Sequence, residues 1–143
     1  MSAAPAQIFD PETAGWTKRR SQGPFTQLVG PVWTRREAEG SACAFLAEER
    51  HANGRGVVHG GMLMSFADHA LGWLVWDAVE KRACATVSLN NQFISAAKPG
   101  DWVEMRGRIV RQTRSLIFVQ GTMTVGDRIV LTAEGIWKVL GVS

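Results

Sequence analysis

A glycine-rich loop and the apolar segment after it combine residue types that carry out acyl-group chemistry in enzymes. Asn53 and His59 belong to the loop, and Asp68 is the one acidic side chain between residues 53 and 72. A carboxylate is costly to bury, so its place in an apolar segment needs a chemical reason. A helix start near Gly60 would expose backbone N–H groups that stabilise negative charge. Donors for an oxyanion together with a lone carboxylate predict hydrolysis of an acyl group.

The composition predicts a single domain with a substantial core. The chain has 143 residues, of which 45% are hydrophobic, so no disulfide or metal is needed to stabilise it. A net charge of +3 and a pI of about 9.3 suit an anionic small ligand as well as nucleic acid. No long basic block is present, and we interpret the short runs at residues 18–20 and 35–36 as solvated surface.

The cysteines and the most apolar segment bear on cellular location. Cys43 and Cys84 lie in strand-like segments without metal-type spacing, which predicts core thiols and a reducing cytoplasm. The first ten residues lack the apolar stretch of a signal peptide. Because residues 62–79 include Asp68, His69 and Asp77, we expect a buried helix there rather than a membrane span.

The elements that must position these residues follow from hydrophobic periodicity. A helix is predicted over residues 60–79, and Ser65, Asp68 and Gly72 share a small polar face of it. Its apolar stripe comprises Leu63, Phe66, Ala67, Ala70, Leu71, Leu74 and Ala78.

Strand-forming residues dominate the rest of the chain. Four strands are predicted after the helix, over residues 83–95, 101–112, 115–125 and 128–139, with short breaks typical of antiparallel hairpins. Before the helix, residues 24–34 and 42–47 are predicted to be extended, residues 37–41 to form a turn, and residues 11–16 to form a short helical turn. This order predicts an α+β fold, in which an antiparallel sheet wraps around one long central helix.

Three motifs carry a resemblance to a known family. The first is N-x-x-G-x-x-H-G-G-(x6)-D, formed by Asn53, Gly56, His59–Gly60–Gly61 and Asp68; the others are residues 93–101 and residues 111–116. Together they resemble the hotdog-fold acyl-CoA thioesterases, in particular the PaaI-like and thioesterase superfamily member 2 branch. The likeness spans roughly residues 25–140, so we predict a hotdog domain over residues 25–143. Residues 1–24 are predicted to be an N-terminal extension that is partly disordered or forms a short helix.

The resemblance also implies an assembly and a substrate. It implies a homodimer with active sites at the interface, which pairs again into a homotetramer, and an acyl-CoA substrate with no metal or redox cofactor. No nucleic-acid or membrane partner is expected.

Helix geometry independently requires two chains if the site hydrolyses a thioester. An α-helix rises about 1.5 Å per residue, so Gly60 and Asp68 are roughly 12 Å apart on one helix. Either the two residues serve different functions, or each site combines Gly60 of one subunit with Asp68 of another.

Roles follow for the candidate catalytic residues. The Gly60 N–H polarises the thioester carbonyl, assisted by the Asn53 amide, and Asp68 activates water or attacks directly. His59 either only shapes the helix start or also contacts the reacting group. By the resemblance, Thr86 takes the place of a hydroxyl that orients the water, with Ser88 as the alternative.

The predicted substrate-binding residues lie further from the thioester carbonyl. Arg111, Arg114 and Ser115 would meet coenzyme A phosphates or pantetheine, and Phe93 would line the pantetheine channel. Gly61 permits a tight backbone around the amide pocket. The acyl group is expected between paired helices, near Ser65, Leu71, Gly72 and Trp76.

Structural interpretations compete with these roles. Asp68 could be a buried acid satisfied by Ser65 or a backbone donor, and Asn53 could be an Asx-turn residue. Arg111 and Arg114 could belong to a solvated hairpin, and His51 and His69 are predicted to be structural or surface residues. At the level of function, the alternatives are a non-catalytic acyl-CoA-binding protein and a hotdog hydratase acting on enoyl or hydroxyacyl thioesters.

Overall fold

One antiparallel sheet and one long helix make up most of the molecule. The structure, a computed structural model, describes residues 8–20 and 23–142. The strands are β1 (Thr17–Lys18), β2 (Trp33–Glu37), β3 (Gly40–Leu46), β4 (Cys84–Phe93), β5 (Trp102–Gln112), β6 (Leu116–Val125) and β7 (Arg128–Val139). The helices are α1 (Pro24–Val29), a 3-10 turn (Glu49–His51) and α2 (Gly60–Ala78). The strands lie in the order β1–β2–β3–β5–β6–β7–β4, and every adjacent pair is antiparallel.

The predicted α+β fold, a sheet around one long helix, is confirmed. Helix α2 begins at the predicted residue and ends one residue early, where Glu80 and Lys81 adopt φ of 57° and 66°. The four strands predicted after the helix correspond to β4–β7. Neither of the described α-helices is long and apolar enough to cross a membrane.

The prediction of an extended segment over residues 24–34 is wrong in its first half. Residues 24–29 form α1, which has Pro24 at its start and is followed by Gly30 in an extended conformation, and β2 begins only at Trp33. Proline is favoured at the first position of a helix because its missing N–H would be unpaired there anyway.

The N-terminal segment packs onto the sheet. Residues 11–15 form the expected turn, and Thr17–Lys18 pair with β2. Trp16 packs with Trp33 and Trp102 in a small cluster. The disorder predicted for the extension concerns residues 1–7, which lie outside the described residues. The domain boundary at residue 25 stays a prediction.

The core lies between α2 and the concave face of the sheet. Most of the predicted stripe of α2 is buried, but Leu74 is half-buried and Ala78 is exposed in the last turn. Each large apolar side chain buried here contributes about 1.5–3 kcal/mol. The fully buried sheet residues that face the helix include Phe45, Val103, Met105, Ile117, Val119, Met123, Leu131 and Val139.

Two glycines on neighbouring strands set how close α2 comes to the sheet. Gly107 of β5 is paired with Gly121 of β6. A Cβ on Gly107 would lie 2.6 Å from Leu71 Cδ2, and one on Gly121 would lie 2.7 Å from the same atom. Leu71 therefore occupies space that any other residue type at these two positions would fill.

Helix α1 is fixed to the 3-10 turn by a buried histidine. The His51 ring accepts from the Glu48 N–H through Nδ1 at 3.0 Å, so its Nε2 donates to the Val29 carbonyl at 2.8 Å. The Arg50 guanidinium donates to the carbonyls of Leu28 and Gly30. His51 is thus structural, one of the two roles predicted for it, and it holds α1 beside α2.

Candidate active site

The start of α2 presents an unused backbone donor. His59 caps the helix, and its Nδ1 accepts from the Gly61 N–H at 2.8 Å. The His59 carbonyl accepts from the Met62 N–H at 2.9 Å. Within residues 8–20 and 23–142, the Gly60 N–H has no hydrogen-bond partner. It therefore lies free at the positive end of a 19-residue helix dipole.

The two glycines at this helix start permit close contacts. A Cβ on Gly60 would lie 3.3 Å from Phe93 Cε1, and one on Gly61 would lie 2.9 Å from His59 Nδ1. Phe93, predicted to line the pantetheine channel, is 53% exposed beside the free donor. His59 holds the turn through its ring, as one of the two predicted roles requires.

Asn53 shapes the loop with only one of its side-chain atoms. Its Oδ1 accepts from the N–H groups of Arg55 at 2.9 Å and Val57 at 3.4 Å, which is the predicted Asx-turn. Its Nδ2 has no partner in the part of the chain that the structure describes. The side chain can therefore fix the loop and still donate to a substrate.

Asp68 is held by a hydroxyl from the sheet. The Thr86 Oγ1 donates to Asp68 Oδ1 at 2.7 Å. Ser65 does not satisfy Asp68, because its hydroxyl donates to the Gly61 carbonyl at 2.8 Å. The other carboxylate oxygen of Asp68 makes no hydrogen bond within the described ranges, so it is available to a water or a carbonyl carbon.

A β-bulge decides which hydroxyl of β4 reaches Asp68. Thr86 pairs with Trp137 and Ser88 with Ile136, and the register shifts between them. Ile136 and Trp137 are successive residues of β7, so their side chains point to opposite faces of the sheet. Their partners on β4 do the same, so Thr86 faces α2 and Ser88 faces away. Of the two predicted hydroxyls, only Thr86 contacts the carboxylate.

Asp68 lies between two adjoining clefts. The first, about 360 Å³ and bounded by α1 and α2, is mostly apolar; the second, about 410 Å³, lies toward the end of α2. The predicted acyl neighbours Ser65, Gly72 and Trp76 line these clefts. Leu71 does not line them, because its side chain is fully buried against Gly107 and Gly121 of the sheet. The first cleft is lined by Phe25, Thr26, Val29, Val32, Met62, Met64, Ser65, Phe66, Asp68, His69 and Leu89. The second is lined by Asp68, His69, Gly72, Trp73, Trp76, Cys84, Thr86 and Trp137.

His69 belongs to this site, although it was predicted to be a structural or surface residue. It lines both clefts, and no ring nitrogen of it is hydrogen-bonded among the described residues. Burial, reinforced by the positive charge of Arg19, lowers the pKa of His69 below its usual value, against the opposing effect of Asp68. The available signal was its position next to Asp68 in an otherwise apolar helix segment.

The predicted site residues fall into two groups at opposite ends of the sheet. Thr86 and Phe93 pair with Trp137 and Leu131 on β7, which are six residues and hence roughly 20 Å apart. The Gly60 end of α2 lies near Phe93, and Asp68 lies near Thr86. One chain therefore does not bring the Gly60 N–H and the Asp68 carboxylate together.

The basic hairpin lies at the Asp68 end of the sheet. In the register of the sheet, Arg111 of β5 pairs with Phe118 of β6, which pairs with Ile136 of β7, which pairs in turn with Ser88 of β4. Arg111 and Arg114 are exposed, and neither forms an ion pair with another described residue; Ser115 is half-buried in the turn.

Strand β4 leaves a long edge of the sheet unpaired within the chain. It pairs with β7 on one side only, and seven of its ten residues are exposed. Val87 and Phe93 are 59% and 53% exposed. An exposed, apolar edge of this length is a template for pairing with another strand.

A long helix enclosed by an antiparallel sheet, with a free donor at its start and a carboxylate in its middle, places the molecule in the hotdog-fold class. The chain belongs to the Thioesterase superfamily, whose match covers residues 55–132. The predicted family is thereby confirmed.

Sequence relatives agree with this membership, and solved structures share the fold. A Pseudomonas aeruginosa protein named as an esterase is 30% identical over 116 residues, covering 80% of this chain and 87% of the relative. Human acyl-coenzyme A thioesterase 13 is 25% identical over 120 residues, covering 83% and 84%. Zebra fish thioesterase superfamily member 2 has a TM-score of 0.74 at 23% identity, covering 83% and 88% of the chains. A variant of PaaI from Thermus thermophilus has a TM-score of 0.73 at 19% identity, covering 82% and 100%.

Proposed function

We propose that this protein is an acyl-CoA thioesterase that hydrolyses an acyl-CoA to the free acid and CoA. The observation that carries the proposal is the pairing of Asp68 with Thr86 beside two clefts, in a chain of the Thioesterase superfamily. The name of the human relative supports a CoA thioester as the substrate. A cytoplasmic location is part of the proposal, and the two free cysteines, Cys43 and Cys84, support it.

The active site in this proposal forms between two protomers. In an antiparallel pairing of two β4 edges about a two-fold axis, the start of one strand lies beside the end of the other. Asp68 and Thr86 of one protomer then meet Gly60 of the partner subunit. The exposed β4 edge supports this arrangement. By the family resemblance, we propose that such dimers pair again into a homotetramer.

The mechanism uses the groups left free within each chain. The thioester carbonyl accepts a hydrogen bond from Gly60 of the partner subunit, and the amide of the partner's Asn53 assists. One such donor is worth about 3–4 kcal/mol in the transition state. Asp68 either removes a proton from the attacking water or attacks the carbonyl carbon to give an anhydride that water then opens. In both cases the C–S bond breaks and the CoA thiolate takes up a proton. The carbonyl carbon gains the water oxygen when Asp68 acts as the base, and it gains an Asp68 oxygen when water opens the anhydride at the Asp68 carboxyl carbon.

The remaining predicted residues position the substrate in this scheme. His59 and Gly61 keep the helix start in the shape that leaves the Gly60 N–H free. Phe93 contacts the pantetheine arm, and Arg111, Arg114 and Ser115 bind the phosphates from their exposed hairpin.

The test is release of CoA thiol from a panel of acyl-CoAs. The parent protein turns over at least one of them, and Asp68→Asn lowers kcat by about 10²–10⁴-fold. The matched control is Asp77→Asn, an exposed carboxylate on the same helix, which leaves kcat unchanged. Unchanged turnover in Asp68→Asn would remove Asp68 from the mechanism.

Two other outcomes separate the competing functions. Tight binding of acyl-CoA by the parent without thiol release would identify a binding protein, and hydration of an enoyl-CoA without thiol release would identify a hydratase. Single-turnover hydrolysis in ¹⁸O-labelled water distinguishes the two forms of the mechanism, because label enters the Asp68 carboxylate only if that carboxylate is the nucleophile.

A further inference from the structure

A third cleft, lined by positive charge, adjoins the clefts at Asp68. It has a volume of about 400 Å³, and Lys18, Arg19, Arg20 and Arg50 contribute to its wall, together with His69. Among its described lining residues none is acidic. We call this the basic cleft. The run at residues 18–20 is therefore not only solvated surface: Lys18 and Arg20 are exposed, but Arg19 is half-buried.

The basic cleft is continuous with the apolar cleft that contains Asp68. Thr26, Val32 and His69 line both of them. His69 follows Asp68 directly in the chain, so the basic cleft begins within one residue of the candidate catalytic carboxylate. A ligand whose carbonyl lies at Asp68 can extend past His69 toward the cations.

The cations in this cleft differ in whether their charged groups already have hydrogen-bond or ion-pair partners. Arg50 donates to two backbone carbonyls and pairs with Glu48, so it serves the structure. Arg19 lies over the Trp73 ring at 4.9 Å, and no carboxylate among the described residues pairs with it. Stacking on an aromatic ring orients a guanidinium while leaving its N–H fork free for an anion.

We propose that Arg19 and His69 form a subsite for a carboxylate at the far end of the acyl group, so that the preferred substrates are ω-carboxyacyl thioesters. This assignment rests on the proposed thioesterase function. Burial and the positive charge of Arg19 lower the pKa of His69, which favours the neutral imidazole with one N–H donor beside the guanidinium.

An anionic group could also reach this cleft as a phosphate of coenzyme A. The position of His69 favours the acyl end, because the whole pantetheine arm separates the CoA phosphates from the thioester carbonyl. A short acyl chain, in contrast, places its terminal carboxylate only a few bonds beyond that carbonyl. The exposed hairpin with Arg111 and Arg114 remains available for the phosphates.

The experiment compares adipyl-CoA with hexanoyl-CoA, which differ only in the terminal carboxylate. The parent is expected to show at least a tenfold higher kcat/KM for adipyl-CoA. Arg19→Gln should lower the kcat/KM for adipyl-CoA at least tenfold relative to that for hexanoyl-CoA and so abolish the preference, and Arg19→Lys should retain part of it. Arg36→Gln, an exposed arginine on β2 outside the clefts, is the matched control and should change neither value.

Three results would overturn the assignment. A parent that prefers hexanoyl-CoA, or an Arg19→Gln variant that loses activity equally on both substrates, would remove the carboxylate subsite. If Arg19→Gln weakened hydrolysis of hexanoyl-CoA but not of hexanoyl-pantetheine, the anion would be a CoA phosphate. Absence of hydrolysis of any acyl-CoA by the parent would instead reject the proposed function itself, so the two failures are distinguishable.

Discussion

The Thr86 hydroxyl donates to Asp68 Oδ1 over 2.7 Å and so links the edge strand β4 to the middle of α2. A carboxylate with one oxygen held in this way keeps a fixed orientation, and its second oxygen can take part in chemistry. The same contact makes the geometry of the acid depend on a strand whose outer edge is exposed.

Removing the Thr86 hydroxyl should slow catalysis without unfolding the protein. A hydrogen bond to a charged group is worth about 1.5–3 kcal/mol, so Thr86→Val should lower kcat roughly 10–100-fold. Thr86→Ser retains the hydroxyl and should keep most of the activity. Thiol-release assays measure both, and circular dichroism checks the fold. Equal losses in the two variants would show that the hydroxyl is not the important group.

The free N–H of Gly60 can be removed with little change of shape. Gly60 is the first residue of α2, where proline is favoured, and His59 before it has φ −58° and ψ 134°, which suits a residue preceding proline. Gly60→Pro should lower kcat by about 10²–10³-fold. Gly60→Ala places a similar Cβ beside Phe93 but keeps the donor, so it is the matched control. An active Gly60→Pro variant would contradict the role of this donor.

Mixing two inactive variants tests whether sites are shared between protomers. Asp68→Asn and Gly60→Pro homodimers each lack one group in both sites. After subunit exchange, half of the dimers are mixed, and each has one intact and one doubly altered site, so about a quarter of the parent activity should return. Mixing each variant with itself is the control. No recovery despite exchange, followed by native mass spectrometry, would place both groups in one chain.

The ion-paired Glu37 should make stability depend on pH in the acid range. Hydrogen bonds from Arg106, at 2.7 and 2.8 Å, and from Arg35 lower the pKa of Glu37 from 4.5 to about 2. The folded state therefore binds fewer protons than the unfolded state, and its free energy of unfolding is expected to fall as the pH drops from about 4.5 toward 2.

Urea unfolding at pH 6 and pH 3 checks this expectation. Glu37→Gln should reduce the difference between the two pH values, because it removes the group whose protonation is linked to folding. Glu39→Gln, an exposed acid in the adjacent turn, is the control and should leave the difference as in the parent. A parent-like pH dependence in Glu37→Gln would show that other groups cause it.

Periodicity and motif spacing predicted the parts of the molecule that depend on local sequence. Helix α2 and strands β4–β7 are long enough to show their periods, and the motif locates Gly60 and Asp68 on one helix. Helix α1 was missed because six residues, fewer than two turns, show no helical period.

Two features of the site depend on information that the sequence pattern does not contain. Strict alternation would put the side chains of Thr86 and Ser88 on the same face of β4. The bulge between them turns one of the two side chains to the opposite face. His69 was interpreted as a structural or surface residue because its environment comes from α1 and the N-terminal strand, which are distant in sequence.

The glycine pair beneath Leu71 has a consequence for how substrate choice in this chain can change. Gly107 and Gly121 allow α2 to sit close to the sheet, and α2 carries Ser65, Asp68 and His69 along one wall of the clefts. A methyl group added at either glycine must displace Leu71 or lift the helix. In the proposed thioesterase, the width available to an acyl chain is therefore adjustable by substitutions on the sheet, at positions outside the clefts that contain Asp68.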